Sequence, residues 1–295
     1  MDTALEIAPE IAPGTGMGAV ELTVADLDRT LDYWQREIGL RVLERGVLEG
    51  GGGWASLGTD TEVLRFIEEP GAQPDTGHTG LYHVALLLPD RLSLARWLAH
   101  AARDRVSLTG LSDHAVSEAI YLRDPDHHGI EIYADRPREL WEGKVAELMT
   151  TLPLDVDNLF GELDDPAAEP FDGLPDGTIV GHTHLRVADV DSTVAFYRDV
   201  LGFPLAAEFP ATAAFLGAGG YHHHVGANVW ESAGASPGPP GTATLRHAQI
   251  LVPDRAELDR VAGRVADAGQ EPESRDDGVL VRDPSRNGLL LTARA

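Results

Sequence analysis

The chain contains no cysteine. A disulfide scaffold, a thiol nucleophile and a Cys-ligated zinc or iron–sulfur site are therefore excluded. Lysine is nearly absent too: Lys144 stands alone beside 22 arginines. Basic residues number 23 against 48 acids, for a formal charge of -25. Such a surface repels phosphate backbones, so nucleic acid is not an expected partner. No apolar run approaches the ~20 residues that a membrane span needs. The stretch Met1 to Gly16 has three acids and no Lys or Arg, unlike a secretory leader. The expected location is the cytoplasm, away from membranes. An acidic, lysine-poor surface suits a halophile, and a GC-rich genome produces it as well. Melting temperature in dilute buffer against molar KCl separates these two origins.

What remains is ordinary globular composition. The 295 residues are 43% hydrophobic and 24% charged, enough for one large domain or two medium ones. The chain repeats itself. Residues 18–40, GAVELTVADLDRTLDYWQREIGL, align without gaps with residues 181–203, GHTHLRVADVDSTVAFYRDVLGF. In both, an alternating strand reaches an Asp suited to cap a helix. The helices carry Leu27, Leu31, Trp34 and Ile38, then Val190, Val194, Tyr197 and Leu201, at helical spacing. A glycine just past the last turn closes each one. A second pair, LYHVALLLPDR at 81–91 and LRHAQILVPDR at 245–255, feeds helices after Pro-Asp. Each later passes Arg-Asp-Pro into a final strand, GIEIYAD at 129–135 or GLLLTAR at 288–294.

Four βαβββ units follow, at about 18–69, 81–135, 180–232 and 245–293. Units 1 and 2 fall in an N-terminal module, 1–135, and units 3 and 4 in a C-terminal module, 180–295. The proline- and acid-rich stretch 136–179 reads as an ordered linker with one or two helices. Gly50 to Gly53 precede a strand at Trp54 with no Gly-Lys-Ser/Thr, so they form a hairpin turn rather than a phosphate loop. His127 and His128, in the Asp-Pro turn, are expected to be exposed.

These units, the Val-Ala-Asp-Leu/Val-Asp strand–helix start and the Asp-Pro-x-x-x-Gly-x-Glu ending resemble the vicinal oxygen chelate superfamily. That group includes glyoxalase I, bleomycin resistance proteins and extradiol ring-cleaving dioxygenases. The segments DHAVSEAIYLRDPDHHGIEIYADRP (113–137) and GGYHHHVGANVW (219–230) more narrowly resemble two-module bacterial catechol 2,3-dioxygenases. The resemblance implies an α+β fold of two tandem vicinal-oxygen-chelate modules with half-open, U-shaped sheets around a metal.

Ligands in this superfamily sit on the first and last strands of paired units. The corresponding positions here are Ala19 in unit 1, His83 and Glu131 in unit 2, His182 in unit 3, and His247 and Leu290 in unit 4. Pairing units 1 with 2, 3 with 4, or 1 with 4 leaves an incomplete set. Units 2 and 3 together supply His83, Glu131 and His182. Two histidines and one carboxylate are the set that leaves positions open on non-haem Fe(II) for substrate and O2. A strand histidine taken alone is usually a core or surface residue; three at family ligand positions argue for metal. His247 reads as a remnant, and His184 as a pocket-lining group outside the ligand set.

Extradiol enzymes resembling this chain carry a non-ligand acid–base histidine on the last strand of unit 3. Period-2 alternation turns Asn228, Gly226, His224 and His222 one way, which makes His224 the first choice and His223 the second. Glyoxalase-type enzymes place a carboxylate ligand where Asn228 stands. Tyr121 and His114 match the His–Tyr–Glu order of extradiol enzymes and are expected to contact substrate oxygens; Tyr133 reads as packing. The expected activity is Fe(II)-dependent extradiol cleavage of a small aromatic diol by O2, with Mn(II) an alternative metal. Three rivals stay open: a glyoxalase-like isomerase, a metal-free small-molecule-binding resistance protein, and a hydroquinone-cleaving dioxygenase. Assembly as a homo-oligomer is left open.

Overall fold

Four aspartates start the four main helices. Asp26, Asp90, Asp189 and Asp254 hold extended backbone and accept from the N–H groups of Arg29, Ser93, Ser192 and Glu257. The computed structural model describes residues 9–294. The helices Leu27–Tyr33 and Val190–Ala195 each run on through a π-helical turn, Trp34–Ile38 and Phe196–Leu201. Gly39 and Gly202 end them at φ 94° and 90°, a left-handed conformation that glycine adopts without strain. The helical stripes predicted from spacing are all buried, and Trp34, Ile38, Tyr197 and Leu201 are completely so. Burying each such side chain contributes about 1.5–3 kcal/mol.

Each unit closes on itself through a parallel pairing of its first and last strands: Val20 with Leu64, Val84 with Ile130, Thr183 with Val225, and Ala248 with Leu289. Units then join in antiparallel pairs through their first strands, and these joins cross the two halves of the sequence. Gly16–Val24 pairs with Leu245–Val252, giving an eight-stranded sheet from units 1 and 4. Gly80–Leu87 pairs with Ile179–Arg186, giving a nine-stranded sheet of eight strands from units 2 and 3 and one from the segment between them. Both sheets curl into half-barrels, and one hydrophobic cluster, with Leu22, Phe66, Leu86 and Ile250 among its members, runs through both.

Residues 136–179 hold three short helical turns, Arg138–Leu140, Val145–Leu148 and Val156–Phe160. The strand Leu152–Pro153 adds to the edge of the nine-stranded sheet opposite Ser112 and Asp113. Arg91 ties this segment down through Glu162 at 2.6 Å and the Asn158 side chain at 2.7 Å. Glycines 50–52 do form a hairpin turn, with Leu48 N–H bonded to Gly52 O. The Asp-Pro turn departs from expectation. His127 is exposed, but His128 is buried, with Nε2 2.9 Å from the Thr23 carbonyl. The cause is Asp126, which pairs with Arg29 on the helix of unit 1 and draws the turn inward.

Among the described residues, no helix is long and apolar enough to cross a membrane.

Candidate active site

The central join of the nine-stranded sheet sets the site. His184 lies opposite His83, and the register shifts on either side of this pair, leaving Gly181 and Tyr82 as extra residues. Such bulges twist a strand and re-aim its side chains. The first needs glycine, because a Cβ at position 181 would overlap the Tyr133 hydroxyl. On the parallel neighbour, Glu131 sits beside Ala85, with Tyr121 across from it on the next strand. Donor atoms of His83, Glu131 and His182 thereby lie within 4.8 Å of one another, all buried.

Glu131 Oε2 is 2.9 Å from His83 Nε2 and 3.2 Å from His182 Nε2. The His83 contact lacks hydrogen-bond geometry, and that nitrogen has no other partner among the described residues. Burial pushes the Glu131 carboxyl up, but the nearby His182 and His83, and the hydrogen bond with His182, outweigh it and hold the group well below the usual range. Burial lowers His182 to about 4 against the opposing pull of Glu131. An ionised carboxylate facing a neutral imidazole is the protonation state that metal binding requires. Two nitrogens and one oxygen aimed at one point suit a divalent transition metal with open positions. Unpaired buried nitrogen is costly, and a metal ion would satisfy the stranded lone pair of His83.

A cavity of about 370 Å³ opens over the triad, within the range of small-molecule sites. Tyr121 stands in its wall, its hydroxyl 2.7 Å from His114 Nε2. His114 Nδ1 is 2.7 Å from the Thr150 carbonyl, which can only accept. In neutral His114 the proton therefore sits on Nδ1, and Tyr121 donates to Nε2. Burial, then the charge of Glu131, pushes the Tyr121 phenol well above its ordinary value.

The three adjacent histidines do not alternate as the sequence suggests. The strand begins only at Val225, so His222, His223 and His224 lie in the turn leading into it. His223 lines the cavity, its ring centre 4.0 Å from that of His182. His224 does not line it: its Nδ1 accepts from Ala218 N–H at 3.1 Å, and its ring packs near Phe203 and Tyr221. Of the two histidines considered for acid–base work, the structure thus puts the second choice, His223, in the cavity wall and the first choice, His224, outside it. Asn228 also stays out of the triad, its Oδ1 accepting from Trp230 N–H. His184 is buried beside His83, with ring centres 4.9 Å apart and Nε2 unpartnered.

Sequence reasoning missed most of the cavity wall. Tyr82, Phe209, Phe215, Trp230 and residues 149–151 of the linker line it. Tyr82 is the bulge residue beside a ligand position, and no periodicity marks it. The linker residues arrive through pairing at the sheet edge, which no local pattern encodes.

His224 carries a stability prediction. Burial lowers it to about 3 from 6.5. Between these values the unfolded chain holds a proton that the folded chain does not, so stability falls as pH drops below about 6.5. His224→Gln, which keeps an acceptor, is expected to reduce the pH slope of the unfolding free energy near pH 5 by about one proton, or ~1.4 kcal/mol per pH unit. Urea titrations of the metal-free protein at pH 5 and 7 measure it. An unchanged slope would place the titrating proton elsewhere.

A cup-shaped sheet of βαβββ units around a buried two-histidine, one-carboxylate cluster that could hold a metal ion is the architecture of the vicinal oxygen chelate class. The family model described as Glyoxalase/Bleomycin resistance protein/Dioxygenase superfamily matches residues 16–132 and 179–290, and the chain belongs to that superfamily. It is 42% identical over 287 residues to the catechol-2,3-dioxygenase of Bacillus subtilis (strain 168), covering 94% of this chain and 96% of the relative. Two solved structures share the fold. A candidate dioxygenase from B. subtilis has a TM-score of 0.66 at 15% identity, covering 97% of this chain and 86% of its own. Glyoxalase I from Zea mays has a TM-score of 0.60 at 16% identity, with 95% and 92% covered.

Proposed function

We propose that this chain is a cytoplasmic extradiol dioxygenase that opens a catechol with O2, using Fe(II) held by His83, His182 and Glu131. The supporting observation is the convergence of two imidazole nitrogens on one carboxylate oxygen, one of them in no hydrogen bond. Kinship with a catechol-2,3-dioxygenase across nearly the whole chain supports the substrate class. A glyoxalase-like site needs a fourth ligand, a second carboxylate. Among the described residues, the only metal-competent group of His, Asp and Glu holds just these three.

Iron held there would supply Lewis acidity and one-electron chemistry toward O2. The protein supplies the rest. Tyr82, Phe215 and Trp230 give the aromatic ring apolar walls and limit water. Tyr121, anchored on His114, places its phenol oxygen beside the triad, where it can hydrogen-bond a substrate oxygen. Burial, then the neighbouring histidines His182 and His222, keep His223 well below its ordinary pKa, hence neutral. A neutral imidazole can take a diol proton and return it when the ring opens, a role contributing roughly 10²–10⁴-fold.

The test is anaerobic loading with Fe(II), then aerated catechol. A yellow semialdehyde is expected from the wild type, with Mn(II) loading run in parallel to decide between metals. One bound metal per chain without product would move the reading to hydroquinones or an isomerase. No metal bound at all would favour a binding protein.

A further inference from the structure

His223 does not stand alone. Its Nδ1 lies 2.8 Å from Nδ1 of His222, and Nε2 of His222 lies 2.8 Å from Oδ1 of Asp135. His222 is completely buried, whereas the Asp135 side chain is 23% exposed. A continuous hydrogen-bonded line thus runs from the cavity to solvent. We infer that Asp135 and His222 are positioning residues that fix the tautomer of His223 and receive its proton during turnover; the inference rests on His223 as the acid–base group.

The direction of each bond follows from the donor inventory. A carboxylate only accepts, so His222 carries its proton on Nε2. Its Nδ1 then offers a lone pair, and His223 must donate to it from Nδ1. That leaves the lone pair of His223 on Nε2, in a residue that lines the cavity. Without His222, nothing would select this tautomer over the one that is useless as a base.

The line also solves a charge problem. His223 packs against His182 and shares the cavity wall with His83 and His184, so an imidazolium there would face the triad. When Nε2 takes a proton from a diol hydroxyl, Nδ1 can pass its own to His222. The positive charge then lies on His222, paired with the Asp135 carboxylate, and the diol oxygen keeps its electron pair. Reversal returns the proton to the opening ring. No net proton or electron is needed from outside. This resembles a carboxylate orienting a histidine in a hydrolytic triad, with one more imidazole inserted.

His222→Gln separates the line's two tasks. The Gln oxygen can accept from His223 and its nitrogen donate to Asp135, but an amide cannot relay a proton. In the metal-free protein, ¹⁵N shifts are expected to show His223 protonated on Nδ1 in both wild type and His222→Gln. In the iron-loaded enzyme, kcat is expected to fall about 10²-fold in His222→Gln and about 10-fold in Asp135→Asn. KM for catechol is expected to stay within about threefold, metal content to stay unchanged, and Asp135→Glu to recover part of kcat. A His223 proton on Nε2 in the wild type would overturn the inference, as would His222→Gln turning over at the wild-type rate. Failure of the wild type itself on catechol would strike the proposed function and leave the tautomer measurement standing.

Discussion

Glu131→Gln is expected to fold, to lose its metal on dialysis and to cleave catechol at least ~10³-fold more slowly. The size follows from ligand count. Altering groups that merely orient metal ligands typically costs 10–100-fold, and among the described residues the candidate centre has three protein ligands. Fold retention follows from geometry. Glutamine matches the shape of Glu131, and its amide can still hydrogen-bond His182 across the 3.2 Å gap. It also removes a buried negative charge that His182 and His83 hold in its ionised form, so at neutral pH the metal-free variant is expected to melt somewhat lower than the metal-free wild type while still unfolding cooperatively. His182→Ala is expected to give the same loss of metal from the opposite half of the sequence. The control is His247→Ala. His247 occupies the corresponding first-strand position of the eight-stranded sheet, but Glu21 stands opposite it, and the position matching Glu131, beside Gln249, is Leu290. That variant is expected to keep one metal per chain. Metal analysis after dialysis with a thermal melt decides each case, and full occupancy in Glu131→Gln would refute the triad.

The four units were legible because each announces itself locally. An alternating strand, an Asp cap and a helical stripe can all be read within about twenty residues, and Asp26 and Asp189 cap as expected. The cross-half sheet could be argued because of a chemical constraint, since only one pairing of units completes a ligand set. The cavity was less legible. His224 was favoured by extending strand alternation back from Asn228, but Gly219 and Gly220 adopt positive φ and the strand starts at Val225. Alternation does not pass through such a turn, and the side chains there are aimed by His222 bonding to Asp135. The Thr150 carbonyl that orients His114 is similarly invisible, because it arrives through an edge pairing of linker residues.

Separating the chain after residue 135 is expected to destroy both the metal site and the sheets, although the cut falls between units. Each sheet is centred on an antiparallel pair whose strands come from opposite halves. Residues 1–135 alone would present Gly16–Val24 and Gly80–Leu87 with one edge bare, leaving rows of backbone N–H and C=O groups to solvent or to other chains. Leu81, Val84 and Leu86, all buried in the intact protein, lie on one of those strands. The fragment could respond by pairing its own two first strands. That would bring Ala19, not His182, into line with His83 and Glu131, so a two-histidine centre cannot form by that route. Fragment 1–135 is therefore expected to bind metal at least ~100-fold more weakly than the full chain, whether it aggregates or refolds, on the loss of one ligand in three. Fragment 136–295, with His182 alone of the triad, is expected to bind none at the site. Mixing the two during refolding is expected to restore one metal per pair, together with catechol cleavage. Size-exclusion chromatography with in-line metal analysis tests each fragment and their mixture. A folded 1–135 fragment that retains a full complement of metal would overturn the cross-half centre, because it would require a third ligand that this half does not place beside His83 and Glu131.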